Sequence, residues 1–309
     1  MPRRAAKAKG KAARARRPQF GILSRKKTLY STRRLVEAAR AHGLEPRVFD
    51  VLRCSLVLET GKPRLFCEGE ELSGLSVVLP RIGASVTAHG LQVLRQLEAL
   101  SVPVVNGAQA IECSRDKLRA LQLLAAQGVA VPRTVLARGG GDLSAFVAQV
   151  GGLPAILKLI RGTQGVGVMI AHSMAEVESI LATLQDLGEE ILLQEFVAES
   201  RGRDVRALVV GGRVAGAMRR EASHGFRSNL HRGGAGSPLE LPAAFAEAAL
   251  RAAHAMGLEV AGVDLLEARS GPMVLEVNSS PGFEGLEEAT GLDIAGAIVE
   301  RAKQIARLS

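Results

Sequence analysis

Short apolar runs alternate with amphipathic segments along most of the chain, and polar or glycine-rich breaks separate them. In the first third, apolar runs at 20–23, 47–51 and 76–79 predict strands, and a helix capped by Ser31 and stopped by Gly43 is predicted between the first two. Strands that alternate with helices are typical of a parallel sheet. No G-x-G-x-x-G motif is present, so this region carries no dinucleotide fingerprint.

The middle third is predicted to contain four strands, at 134–137, 155–160, 166–171 and 191–196. One helix is predicted from an N-cap at Ser114 to Gly128, and another begins at Asp142. A third follows Ser173 and Glu176, which have the spacing of a capping box.

In the last third, strands at 206–210 and 214–219 are predicted to form a hairpin through Gly211 and Gly212, and a loop follows at 223–238. The remaining predicted elements are an alanine-rich helix at 243–256, strands at 260–267 and 272–278, and a helix from Ile294.

A short turn joins the last two strands and brings three oxygen-bearing side chains to one face. With the turn centred on Ser270, Asp264 lies directly opposite Glu276, and Gly262 lies opposite Asn278. Opposed Cβ atoms lie roughly 5 Å apart, so the two carboxylates repel unless a cation lies between them. Two carboxylates and a carboxamide are ligands that Mg²⁺ accepts, which predicts a magnesium–nucleotide site. A surface hairpin with scattered acidic residues is the alternative.

A glycine-rich segment at 162–167 follows the strand that carries Lys158. Glycine lets backbone N–H groups approach phosphate oxygens, and Lys158 would neutralise their charge. The segment lacks the Walker sequence, and a glycine turn without a ligand explains it equally well. Lys117 lies near the third position after Ser114, where a cation opposes the helix dipole. That placement suggests an anionic partner, unless Asp116 compensates the charge.

Cationic and amide side chains also cluster around the segment 223–234. Arginine binds carboxylates and phosphates through paired hydrogen bonds, so the cluster is a candidate for holding a phosphoryl group or an acidic substrate. A solvated loop is the alternative. The members are Arg219, Arg220, Arg227, Asn229, His231 and Arg232.

Composition narrows the class of protein. Hydrophobic residues make up 47% of the 309 residues, whereas aromatic residues make up only 3%, which argues against a nucleic-acid module that stacks bases. The formal net charge is +9, and eight Lys or Arg without any acid lie in residues 1–17, so the remainder is near +1. Three cysteines without C-x-x-C pairing fit a cytoplasmic protein with reduced thiols. The sequence contains no run of eighteen apolar residues, so no membrane span is predicted.

In their order along the chain, these segments resemble the ATP-grasp superfamily and, within it, the RimK-type glutamate ligases. The resemblance runs from Phe20 onward and rests on Ile22-Leu-Ser-Arg25, Thr28-Leu-Tyr30, Pro80-Arg-Ile-Gly83, Arg115-Asp-Lys-Leu-Arg119, Gly162-Thr-Gln-Gly165, Arg227-Ser-Asn-Leu-His-Arg-Gly-Gly234 and Glu276-Val-Asn-Ser-Ser-Pro-Gly282.

The resemblance implies a fold of mixed α/β and α+β type, in which an ATP-grasp fold follows an N-terminal Rossmann-like, pre-ATP-grasp domain. Four regions are expected: a disordered basic arm at 1–18, the N-terminal α/β domain at 19–105, a central subdomain with the glycine-rich loop at 106–190, and a C-terminal subdomain with the metal site at 191–309.

The resemblance also implies the site residues. ATP would be bound by Lys117, Lys158, Gly162, Thr163, Gln164, Gly165, Glu195, Phe196, Asp204, Arg227, Ser228 and Asn229. Among them, Glu195 and Phe196 match a strand whose backbone reads adenine, and Asp204 matches a ribose contact. The catalytic residues would be Lys158, Arg227 and Asn229. Two Mg²⁺ or Mn²⁺ ions would be held by Asp264, Glu276 and Asn278.

The implied reaction is the ATP-dependent addition of L-glutamate to a protein C-terminus, which in the resembled enzymes belongs to ribosomal protein S-six. A carboxylate attacks the γ-phosphoryl group of ATP, and an amine then displaces phosphate from the acyl phosphate. The expected partners are L-glutamate, the ribosomal protein C-terminus, and ribosome or rRNA through the basic arm. We also expect a homo-oligomer and no membrane contact.

Two other functions stay open. Another ATP-grasp ligase, acting on a different amino acid, peptide or carrier protein, would keep the ATP site and differ in its acceptor pocket, for which Arg81, Arg219 and the 223–234 loop are candidates. A ribosome- or nucleic-acid-binding protein without enzymatic activity is favoured by the basic arm. The near-neutral body, the few aromatic residues and the acidic hairpin disfavour it.

Overall fold

A computed structural model describes residues 17–137, 142–160, 167–186, 190–222 and 235–308. Within these ranges the strands are β1 Gln19–Leu23, β2 Glu45–Phe49, β3 Cys54–Val57, β4 Arg64–Cys67, β5 Glu70–Glu71, β6 Leu75–Pro80, β7 Thr134–Ala137, β8 Ala155–Leu159, β9 Val168–Ala171, β10 Ile191–Glu195, β11 Arg203–Val210, β12 Arg213–Glu221, β13 Ala235–Pro238, β14 Val260–Ala268 and β15 Gly271–Asn278. The helices are α1 Tyr30–Ala41, α2 Thr87–Ala99, α3 Ala108–Arg115, α4 Lys117–Ala126, α5 Leu143–Gln149, α6 Met174–Asp186, α7 Ala243–Ala255, α8 Glu284–Thr290 and α9 Ile294–Ile305. None of these helices is long and apolar enough to cross a membrane.

The N-terminal sheet is parallel, with strand order β2-β1-β6, as the alternation of strands and helices predicts. Phe20 and Ile22 of β1 pack in one core with residues of α1 and α9, and α2 belongs to a second core. A small antiparallel sheet, β3-β4-β5, packs beside α2 and was not predicted from the sequence. Cys54 and Cys67 face each other in that sheet as free thiols.

The central sheet is antiparallel, with strand order β7-β10-β8-β9. It forms its own hydrophobic core with α5 and α6. Asp142 caps α5 as predicted, because its carboxylate accepts hydrogen bonds from the N–H groups of Ser144 and Ala145. Strand β10 belongs to this sheet, so the sheet extends past residue 190, where the division between the two ATP-grasp subdomains is expected.

The C-terminal sheet has five antiparallel strands in the order β13-β12-β11-β14-β15. Helices α4 and α7 cover one face. On the other face, Leu208 and Met218 share a core with Phe20 of the N-terminal sheet and Ile298 of α9. The N-terminal and C-terminal sheets are therefore joined by one continuous core, whereas the central sheet has a core of its own.

Two predicted helix starts are wrong. Helix α1 begins at Tyr30, so Ser31 lies inside it and makes no capping hydrogen bond. The helix predicted from Ser114 is divided: α3 ends at Arg115, and α4 begins at Lys117. Asp116 between them is extended, and its side chain accepts a hydrogen bond from the N–H of Arg119, which starts the new helix.

Three further elements differ from the sequence prediction. Strand β2 begins two residues earlier and ends at Phe49, because Val51 starts a 3₁₀ turn capped by Asp50. Part of the predicted 223–238 loop is strand β13, which pairs with β12. Helix α8 was not predicted, since seven residues give too little periodicity to recognise.

Asn106 ties the end of the N-terminal domain to the last hairpin. Its Nδ2 donates hydrogen bonds to the carbonyl oxygens of Val260, at 2.7 Å, and Ser279, at 2.9 Å. Its Oδ1 accepts hydrogen bonds from the N–H groups of Glu259 and Val260 at 2.8 and 2.9 Å. The buried amide therefore fixes the start of β14 and the end of β15 relative to each other.

Candidate active site

The last hairpin has the register that the sequence predicts at its functional end. Asp264 pairs with Glu276, and Gly262 pairs with Asn278. The turn itself differs: Ala268 pairs with Gly271, so the centre lies before Ser270 rather than on it. An extra residue in β15, Leu275, forms a bulge that restores the expected pairing beyond it.

Gly262 is needed because a neighbouring loop fills the space beside it. A Cβ atom built on Gly262 would lie 2.7 Å from Cβ of Pro281 and 3.7 Å from Cβ of Asn278. Asn278 also makes a long hydrogen bond, 3.5 Å, from its Nδ2 to the carbonyl oxygen of Gly262. The absence of a side chain at Gly262 therefore lets the 279–282 loop pack against the strand that carries Asp264.

Two arginines neutralise Asp264. Arg206 donates two hydrogen bonds of 2.7 Å to its carboxylate, and Arg220 approaches it to 2.9 Å. Burial alone would raise the pKa of Asp264, but the charges and hydrogen bonds of the two arginines outweigh burial and hold it below its usual value. The expectation that the opposed carboxylates need a cation between them is thus corrected, because guanidinium groups already supply positive charge.

The arginines continue into a row of alternating charges across the sheet. Arg220 donates two hydrogen bonds of 2.6 Å to Asp204, which is only 4% exposed. Asp204 lies opposite Arg220 on β11 and β12, as Arg206 lies opposite Asp264 on β11 and β14. Arg206 was not among the site residues predicted from the sequence, because its role depends on the register of β11 against β14.

Glu276 lies at the end of this row and is open to solvent. The surrounding protein raises its pKa by desolvation, and the charge of Asp264 raises it further. Positive charge from Arg206, Lys158 and Lys117 acts in the opposite direction. Lys158 lies across the cleft on the central sheet, whereas Lys117 begins α4, which packs on the C-terminal sheet, so cations from two elements act on Glu276.

Lys158 is held by a polar network across the central sheet. Its Nζ donates a 2.5 Å hydrogen bond to Oε1 of Gln194 on β10, and the amide of Gln194 donates to the hydroxyl of Thr134 on β7 at 2.8 Å. Desolvation lowers the pKa of Lys158 to about 8, although Glu276 favours the charged form. The network fixes the Nζ of Lys158, and burial makes the charged form of this lysine less favourable than that of an exposed one.

Lys117 is the first residue of α4, not the third as predicted. Its Nζ donates hydrogen bonds to the carbonyl oxygens of Leu159 and Ile160 at 3.1 and 3.5 Å, which places it at the end of β8 close to Lys158. Desolvation lowers its pKa, and Glu276 partly offsets that effect. Two lysines predicted from separate motifs therefore meet on one side of the cleft.

Glu195 and Phe196 lie at the end of β10, where the central and C-terminal sheets connect. The carboxylate of Glu195 accepts hydrogen bonds of 3.0 and 3.1 Å from the guanidinium of Arg133, and these bonds lower its pKa. Its backbone N–H donates to the carbonyl oxygen of Arg133 at 2.8 Å. The side chain of Glu195 is thus bound to Arg133, and a role for this segment would have to come from its backbone.

Several predicted site residues lie outside the described residues: Gly162, Thr163, Gln164 and Gly165 of the glycine-rich segment, and Arg227, Ser228, Asn229, His231 and Arg232 of the basic cluster. Of that cluster, the described Arg219 makes a 2.6 Å ion pair with Glu267 on the edge of the C-terminal sheet, and Arg220 belongs to the row of charges.

The donor set of the hairpin fits a divalent cation. In the part of the chain that the structure describes, no three His, Cys, Asp or Glu side chains cluster as metal ligands. The hairpin instead offers the exposed carboxylate of Glu276, the remaining lone pairs of Asp264, and the amide oxygen of Asn278, and oxygen donors of this kind suit Mg²⁺ together with water and phosphate.

Two family models match the chain. Residues 19–111 match the RimK PreATP-grasp domain, and residues 114–302 match the RimK-like ATP-grasp domain. The chain belongs to the RimK-like ATP-grasp family. The mixed sheets described above are accordingly an ATP-grasp fold behind a pre-ATP-grasp domain, and this RimK-like protein is an ATP-dependent ligase that forms C–N bonds.

Curated relatives agree with this assignment over nearly the whole chain. The protein is 49% identical over 290 residues to a probable alpha-L-glutamate ligase of Thioalkalivibrio sulfidiphilus, an alignment that covers 94% of this chain and 96% of the relative. It is 48% identical over 282 residues to a protein of the same name from Chromohalobacter salexigens, covering 91% and 93%.

Solved structures show the same RimK-like architecture. A RimK domain ATP-grasp protein of Sphaerobacter thermophilus has a TM-score of 0.71 and 25% identity, covering 92% of this chain and 99% of that one. The ATP-grasp ligase PsnB, solved with a minimal precursor, has a TM-score of 0.74 and 22% identity, covering 94% and 99%. The similarity to PsnB concerns the fold alone.

Proposed function

We propose that this chain uses ATP to add L-glutamate to the C-terminal carboxylate of a protein, and that ribosomal protein S-six is the acceptor. The names of the curated relatives support glutamate as the amino acid, since alignments at 48–49% identity cover more than nine-tenths of the chain. The protein acceptor rests on the resemblance to the RimK-type glutamate ligases.

One observation supports the catalytic part of the proposal. The charge of Glu276 on the C-terminal hairpin acts on both Lys117 and Lys158, and Nζ of Lys117 donates to the end of β8, the strand that carries Lys158. A polyphosphate needs cations on one side and metal ligands on the other. This cleft offers both.

In the proposed complex, Lys117 and Lys158 bind phosphate oxygens of ATP, and Asp264, Glu276 and Asn278 hold Mg²⁺ or Mn²⁺. Two ions sharing Glu276 are proposed, by analogy with two-metal phosphoryl transfer. The bound cations would neutralise phosphate charge. Mg and ADP were present in one structure of PsnB, which supports the choice of magnesium.

The remaining nucleotide contacts are proposed from the resemblance. The backbone of Glu195 and Phe196 would read adenine, and Asp204 would contact the ribose or a nearby group. Gly162, Thr163, Gln164 and Gly165 would cover the phosphates and exclude water. Ser228 would contact the nucleotide, and Arg227 and Asn229 would act with Lys158 on the transferred phosphoryl group.

The reaction then proceeds in two steps. The acceptor carboxylate attacks the γ-phosphorus, the bond to the bridging oxygen of ADP breaks, and an acyl phosphate forms. The glutamate amine attacks the acyl carbon, phosphate leaves, and the amine loses a proton to solvent. Lys158 and Lys117 contribute by stabilising negative charge and by alignment, because no side chain among the described residues is placed as an obvious base.

We further propose that the basic arm binds ribosomal RNA, which would bring the enzyme to its acceptor. Residues 1–17 hold eight of the positive charges of the chain. Deleting them should reduce co-sedimentation with ribosomes at low salt and leave ATP turnover intact. Unchanged co-sedimentation across a salt series would remove this part of the proposal. A homo-oligomer is also proposed, and sedimentation velocity tests it.

The decisive experiment for the function is intact-mass measurement. Ribosomal proteins are incubated with enzyme, ATP, Mg²⁺ and L-glutamate, and a peptide that carries the S-six C-terminus is run in parallel with an amidated control peptide. Mass increments of one glutamyl unit on the free-acid form alone are expected. ADP release with other amines or carboxylates, without glutamylation, would instead indicate a ligase of different specificity.

A further inference from the structure

Arg81 is the first residue after β6, and its side chain projects towards the loop that follows the C-terminal hairpin. Its N–H donates to the carbonyl oxygen of Leu23 at 2.8 Å, which fixes its backbone. Its Nη2 donates to the carbonyl oxygen of Pro281 at 2.8 Å, and its guanidinium lies over the ring of Phe283, 5.7 Å from the centroid. No carboxylate among the described residues pairs with this half-buried cation.

Arg115 lies at the end of α3, on the other side of the same loop. Its Nη2 donates to the carbonyl oxygen of Ile82 at 2.5 Å, so Arg115 is held against the residue that follows Arg81. Its Nε is buried and has no hydrogen-bond partner. Arg115 likewise lacks a carboxylate partner in the described ranges, although the charge of Glu276 reaches it.

Two like charges in this position are unfavourable without an anion. Desolvation lowers the pKa of Arg81 to about 10, and the charge of Arg115 contributes to the same shift. Other half-buried or buried arginines are compensated: Arg34 pairs with Glu287, and Arg206 and Arg220 pair with Asp264. A guanidinium removed from water needs a partner, so the Arg81–Arg115 pair is arranged for an anion that arrives from outside.

We propose that Arg81 and Arg115 bind a carboxylate of the incoming amino acid, one that does not react. This inference rests on the proposed function, because it assigns a subsite to the amino-acid substrate of that reaction. The pair lies on the N-terminal side of the cleft, whereas Lys117 and Lys158 lie at the central sheet. The arginines therefore bind the amino acid, and the lysines bind the nucleotide.

Charge explains why such a subsite is needed. An acidic amino acid carries two carboxylates, and it must approach an acyl phosphate beside the negative charges of Glu276 and Asp264. Without cations of its own, the amine would be held away from the acyl carbon by repulsion. Two guanidinium groups provide planar donors that match a carboxylate more closely than a phosphate-binding lysine does.

The first test measures carboxylate binding without ligation. Thermal shift and calorimetry compare glutarate with glutaramide, each in the presence of MgADP, on the full-length protein. The parent is expected to bind glutarate and not glutaramide, and Arg81→Gln and Arg115→Gln are each expected to weaken glutarate binding about tenfold or more. Arg81→Lys, which keeps the charge, should fall between.

Arg47→Gln is the matched control. Arg47 also lies over an aromatic ring, 5.3 Å from the centroid of Phe49, and it is half-buried, but it lies on β2 away from the cleft. It should bind glutarate as the parent does. Failure of the parent to bind glutarate, or unchanged binding in both glutamine variants, would overturn the carboxylate site.

The second test uses ligation and identifies the carboxylate. The parent is given glutamate, glutamine or isoglutamine, and KM is measured for each. With the parent, KM should be higher for the analogue that lacks the bound carboxylate than for glutamate. In Arg81→Gln this difference in KM should disappear. The Kd of Arg81→Gln for MgATP should equal that of the parent. If no amino acid is ligated at all, the proposed function fails, and glutarate binding still decides the arginine site.

Discussion

Asp264 and Glu276 face each other across the last hairpin, but arginines hydrogen-bond only to Asp264. The two carboxylates therefore have different environments although they occupy paired positions. Asp264 is buried and ionised between Arg206 and Arg220, whereas Glu276 is exposed to the cleft with a raised pKa. A divalent cation bound by Glu276 would remove the unfavourable charge at that position, whereas Arg206 and Arg220 already compensate Asp264.

Replacing Arg220 in the row of charges behind the site is predicted to lower the stability of the protein strongly. Arg220→Met removes the two hydrogen bonds that Arg220 donates to Asp204 and one of the two cations on Asp264. We expect a loss of about 3–5 kcal/mol in the free energy of unfolding, because two buried carboxylates each lose a hydrogen-bonded cation. Urea denaturation measures it, and Arg213→Ala, an exposed position on the same strand, is the control.

Arg220→Met should also change how the stability of the protein depends on pH. A carboxyl with a lowered pKa in the folded state stabilises the protein above its unfolded pKa, and the contribution is lost as pH falls. Arg220 helps to keep the pKa of Asp264 low, so its removal should make stability fall off at a higher pH than in the parent. Identical acid-unfolding midpoints would contradict this account of Asp264.

Lys158 predicts how ATP binding depends on pH. Its pKa of about 8 means that the free protein loses this cation above that pH. The Kd for MgATP should therefore rise above pH 8, by up to roughly tenfold per pH unit for one linked proton. Lys158→Arg remains charged and should show a flat profile to pH 9.5 if it binds ATP. A parent profile that is already flat would show that Lys158 does not bind the phosphates as a cation.

Adding a side chain at Gly262 is predicted to cause a steric clash close to the site. Gly262→Ala would place Cβ 2.7 Å from Pro281, so the loop that carries Pro281 must move. We expect a destabilisation of about 1–3 kcal/mol and a lower kcat, since the loop adjoins Asn278. Gly282→Ala is the control in the same loop, because its Cβ would meet nothing within 4 Å. Equal effects of the two substitutions would contradict a packing role for Gly262.

Local patterns were sufficient for much of the fold and for the register at the hairpin. Strands were predicted at 260–267 and 272–278, and a wrong turn centre still gave the right pairs because the bulge at Leu275 compensates for the shorter turn. Helix caps were less predictable: Ser31 and Asp116 are both plausible caps, and only the chain direction around them decides which side chain reaches a free N–H.

Long-range charge pairs could not be predicted from sequence alone. Arg206 and Asp264 are distant in sequence and meet only because β11 pairs with β14. Arg81 and Arg115 likewise converge through the packing of the β6 loop against α3. A sequence pattern shows that a residue is charged, but the partner that neutralises it is set by strand order and by packing between domains.

The central claim is that the β14–β15 hairpin binds the metal of a metal–nucleotide complex, and direct metal binding tests it most closely. Mn²⁺ is titrated into the protein with ADP and followed by electron paramagnetic resonance, for the parent, Glu276→Gln, Asn278→Ala and the exposed control Glu288→Gln. We expect Glu276→Gln and Asn278→Ala to weaken Mn²⁺ binding about tenfold or more, with the control unchanged. Parent-like Mn²⁺ affinity in Glu276→Gln would place the metal elsewhere.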